Sequence, residues 1–97
     1  MKLELWEILV PVEFDLYFHQ QWDEKVSKII GGVTLLQPLK GRWLAGEEIV
    51  RESMIPVRLV GTREQIEQVV DLTLQHYNQA SVLAYKISDD VILKNRW

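Results

Sequence analysis

His19 stands beside Tyr17, Gln20 and Trp22 where a first strand gives way to a helix, and its ordinary pKa near neutrality suits it to general-base chemistry in a pocket at that strand end. No Asp, Glu or Ser accompanies it in a recognised catalytic spacing, so the plainer reading is a loop or helix-start residue. His76, among Gln75, Tyr77 and Asn78, falls near a helix C-terminus, where a cation complements the dipole, and reads as structural. Arg51-Glu52 is the charged pair with most to offer. Neighbours on a strand point to opposite faces, so one of the two must point inward or line a cavity. An inward Arg51 would clamp a carboxylate or phosphate bidentately, with Tyr17, Trp22 and Trp43 as candidate walls of the pocket. Aromatic residues at these spacings serve as core or interface just as readily.

Other chemistries are excluded by what is missing. The 97 residues contain no Cys, which removes disulfides, thiolate metal sites and cysteine nucleophiles. The two histidines lie 57 positions apart with no spaced carboxylates, so no metal site is expected. Gly31-Gly32 and Gly41 are isolated, no Gly-rich loop leads into a helix, and no nucleotide or other cofactor is expected. A net charge of −3 with scattered Lys and Arg gives no stripe for a nucleic-acid backbone. Acids interrupt the apolar residues of the first turn of sequence, and no apolar run approaches the ~18 residues of a membrane span, so a cytoplasmic location with no membrane partner is expected.

These residues need elements to hold them. Alternation of Trp6, Ile8, Val10, Val12 and Phe14 predicts a strand over 5–14, with Pro11 marking an edge or bulge. Trp22, Val26, Ile29 and Ile30 make one stripe of a short helix over 20–30, stopped by Gly31-Gly32. A β-rich stretch over 33–37 continues irregularly through Trp43 and pairs as a hairpin with a long strand over 49–60, in which Pro56 again signals a bulge. Thr62 and Gln65 form a capping box for a second helix whose buried face is Ile66, Val69, Val70, Thr73 and Tyr77, with Asn78 as the stop. A strand over 81–88 ends at Asp89-Asp90, and 91–97 could add a further short strand ending on Trp97.

The order β-α-β-β-α-β specifies one α+β domain over 1–97, a ferredoxin-like sandwich with a four-stranded antiparallel sheet and both helices on one face. Apolar residues fall on both sides of the strands, as Leu9 against Val10 and Tyr85 against Ala84, so the helix-free face calls for a cover. Self-association supplies it. Sheet-to-sheet packing gives a dimeric α/β-barrel, the favoured assembly, and edge-to-edge packing gives a trimer of the PII and CutA type.

Gly32-Val33-Thr34-Leu35-Leu36, Gly41-Arg42-Trp43, Ile49-Val50-Arg51-Glu52-Ser53, Tyr77 and Gln79-Ala80-Ser81-Val82-Leu83, in this order and spacing, resemble a family of small bacterial proteins defined only as a domain of unknown function. The likeness spans 14–88 and includes Tyr17-Phe18 as the family's aromatic pair. His19 replaces the usual Gly after that pair, and the segment between Trp22 and Gly31 is shorter. The resemblance implies the fold and no reaction.

Three functions follow as expectations. The first is a non-enzymatic, self-associating module for a small anionic ligand or a protein partner. The second, by fold analogy, is a cofactor-independent oxygenase or isomerase of the dimeric α/β-barrel kind, with His19, Arg51 and Glu52 as candidate catalytic groups. The third is a PII-like trimeric sensor with 37–48 as a mobile signalling loop and only Lys40 and Arg42 as its basic residues.

Overall fold

The computed structural model of the protein describes residues 2–96, the side chain of Trp43 excepted. The chain runs β1 (Glu4–Pro11), α1 (Leu16–Ile29), β2 (Val33–Leu35), β3 (Leu39–Ala45), β4 (Glu48–Gly61), α2 (Arg63–His76) and β5 (Ala84–Ser88). The antiparallel sheet is ordered β2-β4-β1-β5, and β3 also pairs with β4. Since β2 and β3 lie end to end along one side of β4, this is the four-stranded ferredoxin-like α+β sheet expected from the sequence.

Helix α1 begins four residues before the periodicity indicates. Asp15, extended at φ −70 and ψ 162, accepts the Phe18 N–H at 2.8 Å and so caps the helix. Strand β1 correspondingly stops at Pro11 rather than Phe14. Phe14, just outside the cap, stacks on Phe18 with ring centres 5.0 Å apart and meets Tyr77 edge-on, which fixes the angle of approach to the helix. Gly31, at φ +93, ends α1 in the left-handed region.

Two prolines share one irregularity. Leu35 pairs with Val57 and Leu39 with Met54, so residues 36–38 oppose only Ile55 and Pro56. This bulge takes up Pro38, and the Leu36 N–H still donates to the Pro56 carbonyl at 2.9 Å. Pro56 itself sits in mid-sheet, registered against Leu9, because the bulge lies in the strand across from it. Gly46, at φ +66, allows a two-residue turn between Ala45 and Glu48.

The capping box of α2 forms as read: the Thr62 hydroxyl accepts the Gln65 N–H at 3.3 Å and the Gln65 carboxamide accepts the Thr62 N–H at 2.9 Å. The free amide of Gln65 donates to the Ile29 carbonyl at 3.1 Å, tying the start of α2 to the end of α1. Asn78, at φ 51, turns the chain out of α2. Strand β5 starts at Ala84, later than expected, although the Leu83 carbonyl already accepts the Leu9 N–H at 3.1 Å. Residues 91–96 form no strand, against expectation, and Trp97 lies outside the described residues.

The core fills the space between the helices and one sheet face: Trp6, Ile8 and Val10 from β1, Val57 and Leu59 from β4, Trp22 and Val26 from α1, and Ile66, Val69 and Tyr77 from α2. Each such side chain contributes roughly 1.5–3 kcal/mol by leaving water. The helix-free face is less apolar than the strand pattern implied. Its centre is Glu7, only 7% exposed, which accepts from the Arg58 guanidinium at 3.2 Å and from the Tyr85 hydroxyl.

Candidate functional site

The sequence-predicted site residues separate into three places. His19 lies in the first turn of α1, half-buried. Its Nε2–H donates toward the Val12 carbonyl at 3.4 Å, and its Nδ1 then accepts the Tyr77 hydroxyl at 2.6 Å. Burial pushes the Tyr77 phenol far above its ordinary range, with the Asp23 carboxylate adding to the shift. Burial also raises Asp23, opposed by His19 one helical turn away. His76 donates from Nε2 to the Phe18 carbonyl at 2.8 Å and accepts from Lys25 at 3.3 Å, while its ring lies 4.2 Å from that of Phe18. His76 thus uses both ring nitrogens to join α2 to α1, and His19 links α1 to Tyr77 at the end of α2 and to Val12 just past β1. This aromatic and histidine seam went unread because its pairs lie 58 residues apart.

Trp22 is a core residue, not a pocket wall. It is 1% exposed, and its indole N–H donates to the Thr73 hydroxyl at 3.0 Å. The same hydroxyl donates to the Val69 carbonyl at 2.6 Å, which completes a buried relay between the helices. Tyr17, 69% exposed on the outer side of α1, lines none of these contacts. The Trp43 side chain lies outside the described residues.

Arg51 and Glu52 belong to a different structure, the arm. Beyond Met54, strand β4 pairs with β3 alone, and this two-stranded extension makes the molecule 49 Å long against 28 and 23 Å in the other directions. The stretch 37–48, a mobile signalling loop only under the trimeric-sensor alternative, is β3 and its turn, paired with β4 as the hairpin reading has it. Alternation along the arm puts Lys40, Arg42, Arg51 and Ser53 on one face and Glu52 with Met54 on the other. The inward member of the charged pair is Glu52: one carboxylate oxygen is shielded and has no hydrogen-bond partner among the described residues, and the residue stands between a cleft of about 170 Å³ against Pro11 and Phe14 and a larger one of about 600 Å³. Arg51 is exposed and lines the larger cleft with Lys40, Arg42, Glu13 and Ser53. His19 lines neither, so the structure does not assemble the expected His19–Arg51–Trp constellation.

A ferredoxin-like sandwich bearing a long β-arm and a charged cleft at the arm's base is the class that fold and site define. Within it, the chain is similar to solved CutA structures. Over 96% of this chain and 88% of that one it matches CutA of Xylella fastidiosa at 13% identity and a TM-score of 0.73. The periplasmic divalent cation tolerance protein CutA of Archaeoglobus fulgidus matches over 95% and 88% at 15% identity and a TM-score of 0.72. CutA of Synechococcus elongatus, solved with a Bis-Tris molecule, matches over 90% and 79% at 17% identity and a TM-score of 0.64. At these identities the likeness is one of fold. No protein-family model and no curated relative matches the chain, so the resemblance to a family of unknown function has no family match behind it. No helix among the described residues is long and apolar enough to cross a membrane.

Proposed function

We propose that the chain is a non-enzymatic, self-associating module that binds a small ligand, built on the plan of the CutA proteins, and that its β3–β4 arm packs on a second copy. The arm carries this reading. A lone two-stranded hairpin is marginal in water, yet this one holds Leu39, Leu44 and Ile49 at 57%, 71% and 58% exposure. The accessible surface is 7160 Å² and the radius of gyration 14.1 Å, where a compact monomer of 11.4 kDa has roughly 5,800 Å² and roughly 12.5 Å. The shielded Glu52 oxygen, unpartnered among the described residues, adds a place for a donor from the neighbour.

The buried Glu7–Arg58–Tyr85 group at the centre of the helix-free face works against a dry sheet-to-sheet seam. An arm and the surface that receives it are different patches, and such a contact repeated head to tail closes as a ring where the rotation between copies allows it. The smallest ring is the trimer, the second of the two assemblies expected from sequence. The A. fulgidus protein's name couples it to divalent cations, but the described residues of one chain do not fit a preformed cation site: no three His, Asp or Glu side chains converge, and there is no Cys. A cytoplasmic location remains part of this proposal, and cell fractionation separates it from the periplasmic one given to the A. fulgidus protein.

The test is at the arm tip, where Leu44 and Ile49 face each other across the hairpin. Hiding each side chain contributes roughly 1.5–3 kcal/mol. The double variant Leu44→Lys, Ile49→Lys dissociates the oligomer and leaves helical circular dichroism intact. Unchanged sedimentation would remove the arm from the interface.

A further inference from the structure

Arg42 and Arg51 are direct cross-strand partners in the arm, and Lys40, opposite Ser53, is the next pair on the same face. Like charges set directly opposite each other on an antiparallel ladder destabilise it. A carboxylate from the chain would ordinarily sit between them, but among the described residues neither arginine nor Lys40 has an ion-pair partner. All three open onto the cleft of about 600 Å³, within the usual size range of small-molecule sites. Its acids are Glu13 and Glu52. By register Glu52 belongs to the opposite face of the hairpin, yet it lines the cleft with Glu13, so three cations and the Ser53 hydroxyl stand against two acids there. This concentration of positive charge sits in a chain whose net charge is −3.

We propose that this face of the arm is a binding site for a small multivalent oxyanion, a di- or tricarboxylate or a phosphate, held between the Arg42 and Arg51 guanidinium groups, with Lys40 supplying a third charge and Ser53 a hydroxyl donor. Arginines at directly opposed ladder positions bring two planar, multi-donor guanidinium groups within reach of one ligand, which single surface lysines do not offer. Bound anion also removes the Arg–Arg repulsion, so ligand and hairpin stabilise each other. The proposal rests on the small-ligand reading above and names its ligand class. The Arg42–Arg51 pair, at the cleft's outer end, is two ladder positions in from the apolar tip pair Leu44–Ile49, so the site reaches from the arm's base to the margin of the proposed contact between copies.

Citrate and inorganic pyrophosphate, titrated calorimetrically at constant ionic strength, distinguish the carboxylate from the phosphate source; chloride at matched ionic strength is the control. Either Arg42→Ala or Arg51→Ala weakens the preferred anion by roughly ten- to a hundredfold, as expected for loss of a charged hydrogen-bond pair. Lys94→Ala, remote in sequence on the exposed tail, changes it less than about twofold. Arg51→Glu replaces repulsion by attraction across the ladder, so it abolishes binding while the thermal midpoint holds or rises; that result separates lost ligation from lost fold. Sedimentation of every variant is measured alongside. No saturable binding of either anion by the wild-type protein, or binding that both arginine variants retain, overturns the clamp and leaves the assembly reading standing.

Discussion

Thr73→Val tests the packing of α1 on α2, the seam that positions the start of the arm's supporting sheet. The substitution keeps volume and shape and deletes one hydroxyl. Two hydrogen bonds pass through that oxygen. The one it donates to Val69 goes to a carbonyl within its own helix, so losing it costs little. The one it accepts comes from the Trp22 indole, and both residues are buried, at 0% and 1% exposure. After substitution the indole N–H has no acceptor in an apolar setting, which costs about 1–3 kcal/mol. At ~4–8 °C per kcal/mol for a domain of this size, the thermal midpoint falls by roughly 5–20 °C at fixed protein concentration. Thr73→Ser keeps the oxygen and costs about 1 kcal/mol or less for the missing methyl group. The double-mutant cycle with Trp22→Phe closes the argument: with the indole N–H gone, Thr73→Val costs little or nothing further. A full-sized cost for Thr73→Val in the Trp22→Phe background, or none in the wild type, would refute the relay.

The helix caps and one carboxyl give further tests. Thr62→Ala removes one cap bond and lowers stability by about 1 kcal/mol in urea unfolding, while Gln65→Ala removes both its half of the box and the tie to Ile29 and costs more. Burial holds the folded Asp23 carboxyl above its ordinary range. The native state therefore keeps that proton to higher pH than the unfolded chain, and stability contributed here is lost as pH rises from the ordinary Asp value through the folded one. Asp23→Asn accordingly raises the urea midpoint at pH 7, and the gain disappears below the ordinary Asp range; a destabilised variant at neutral pH would show that the carboxylate is held by a partner instead.

What could be read from the sequence was local. Thr62 and Gln65 identify their helix because both halves of the box lie within four residues. Asp15 caps α1 with no Glu or Gln three positions on, only Phe18, so the apolar stripe alone indicates a later start and leaves His19 outside the helix that holds it. Pro38 and Pro56 each signalled an irregularity, but only the register shows that one bulge serves both. Glu7 reads as an outward strand acid until Arg58 and Tyr85, 51 and 78 residues away, close over it. The Arg42–Arg51 opposition follows by counting back from the two-residue turn at Gly46-Glu47; the sequence marks a turn over 44–47, and only the pairing of Ala45 with Glu48 fixes its register.

The claim that the arm exists to join copies of this chain is tested most directly by sedimentation equilibrium of the wild-type protein at micromolar concentration. The expected species has about three times the 11.4 kDa chain mass and dissociates in the Leu44→Lys, Ile49→Lys variant. A single 11.4 kDa species at ~100 µM, far above the dissociation constant of a standard-size interface, would contradict it.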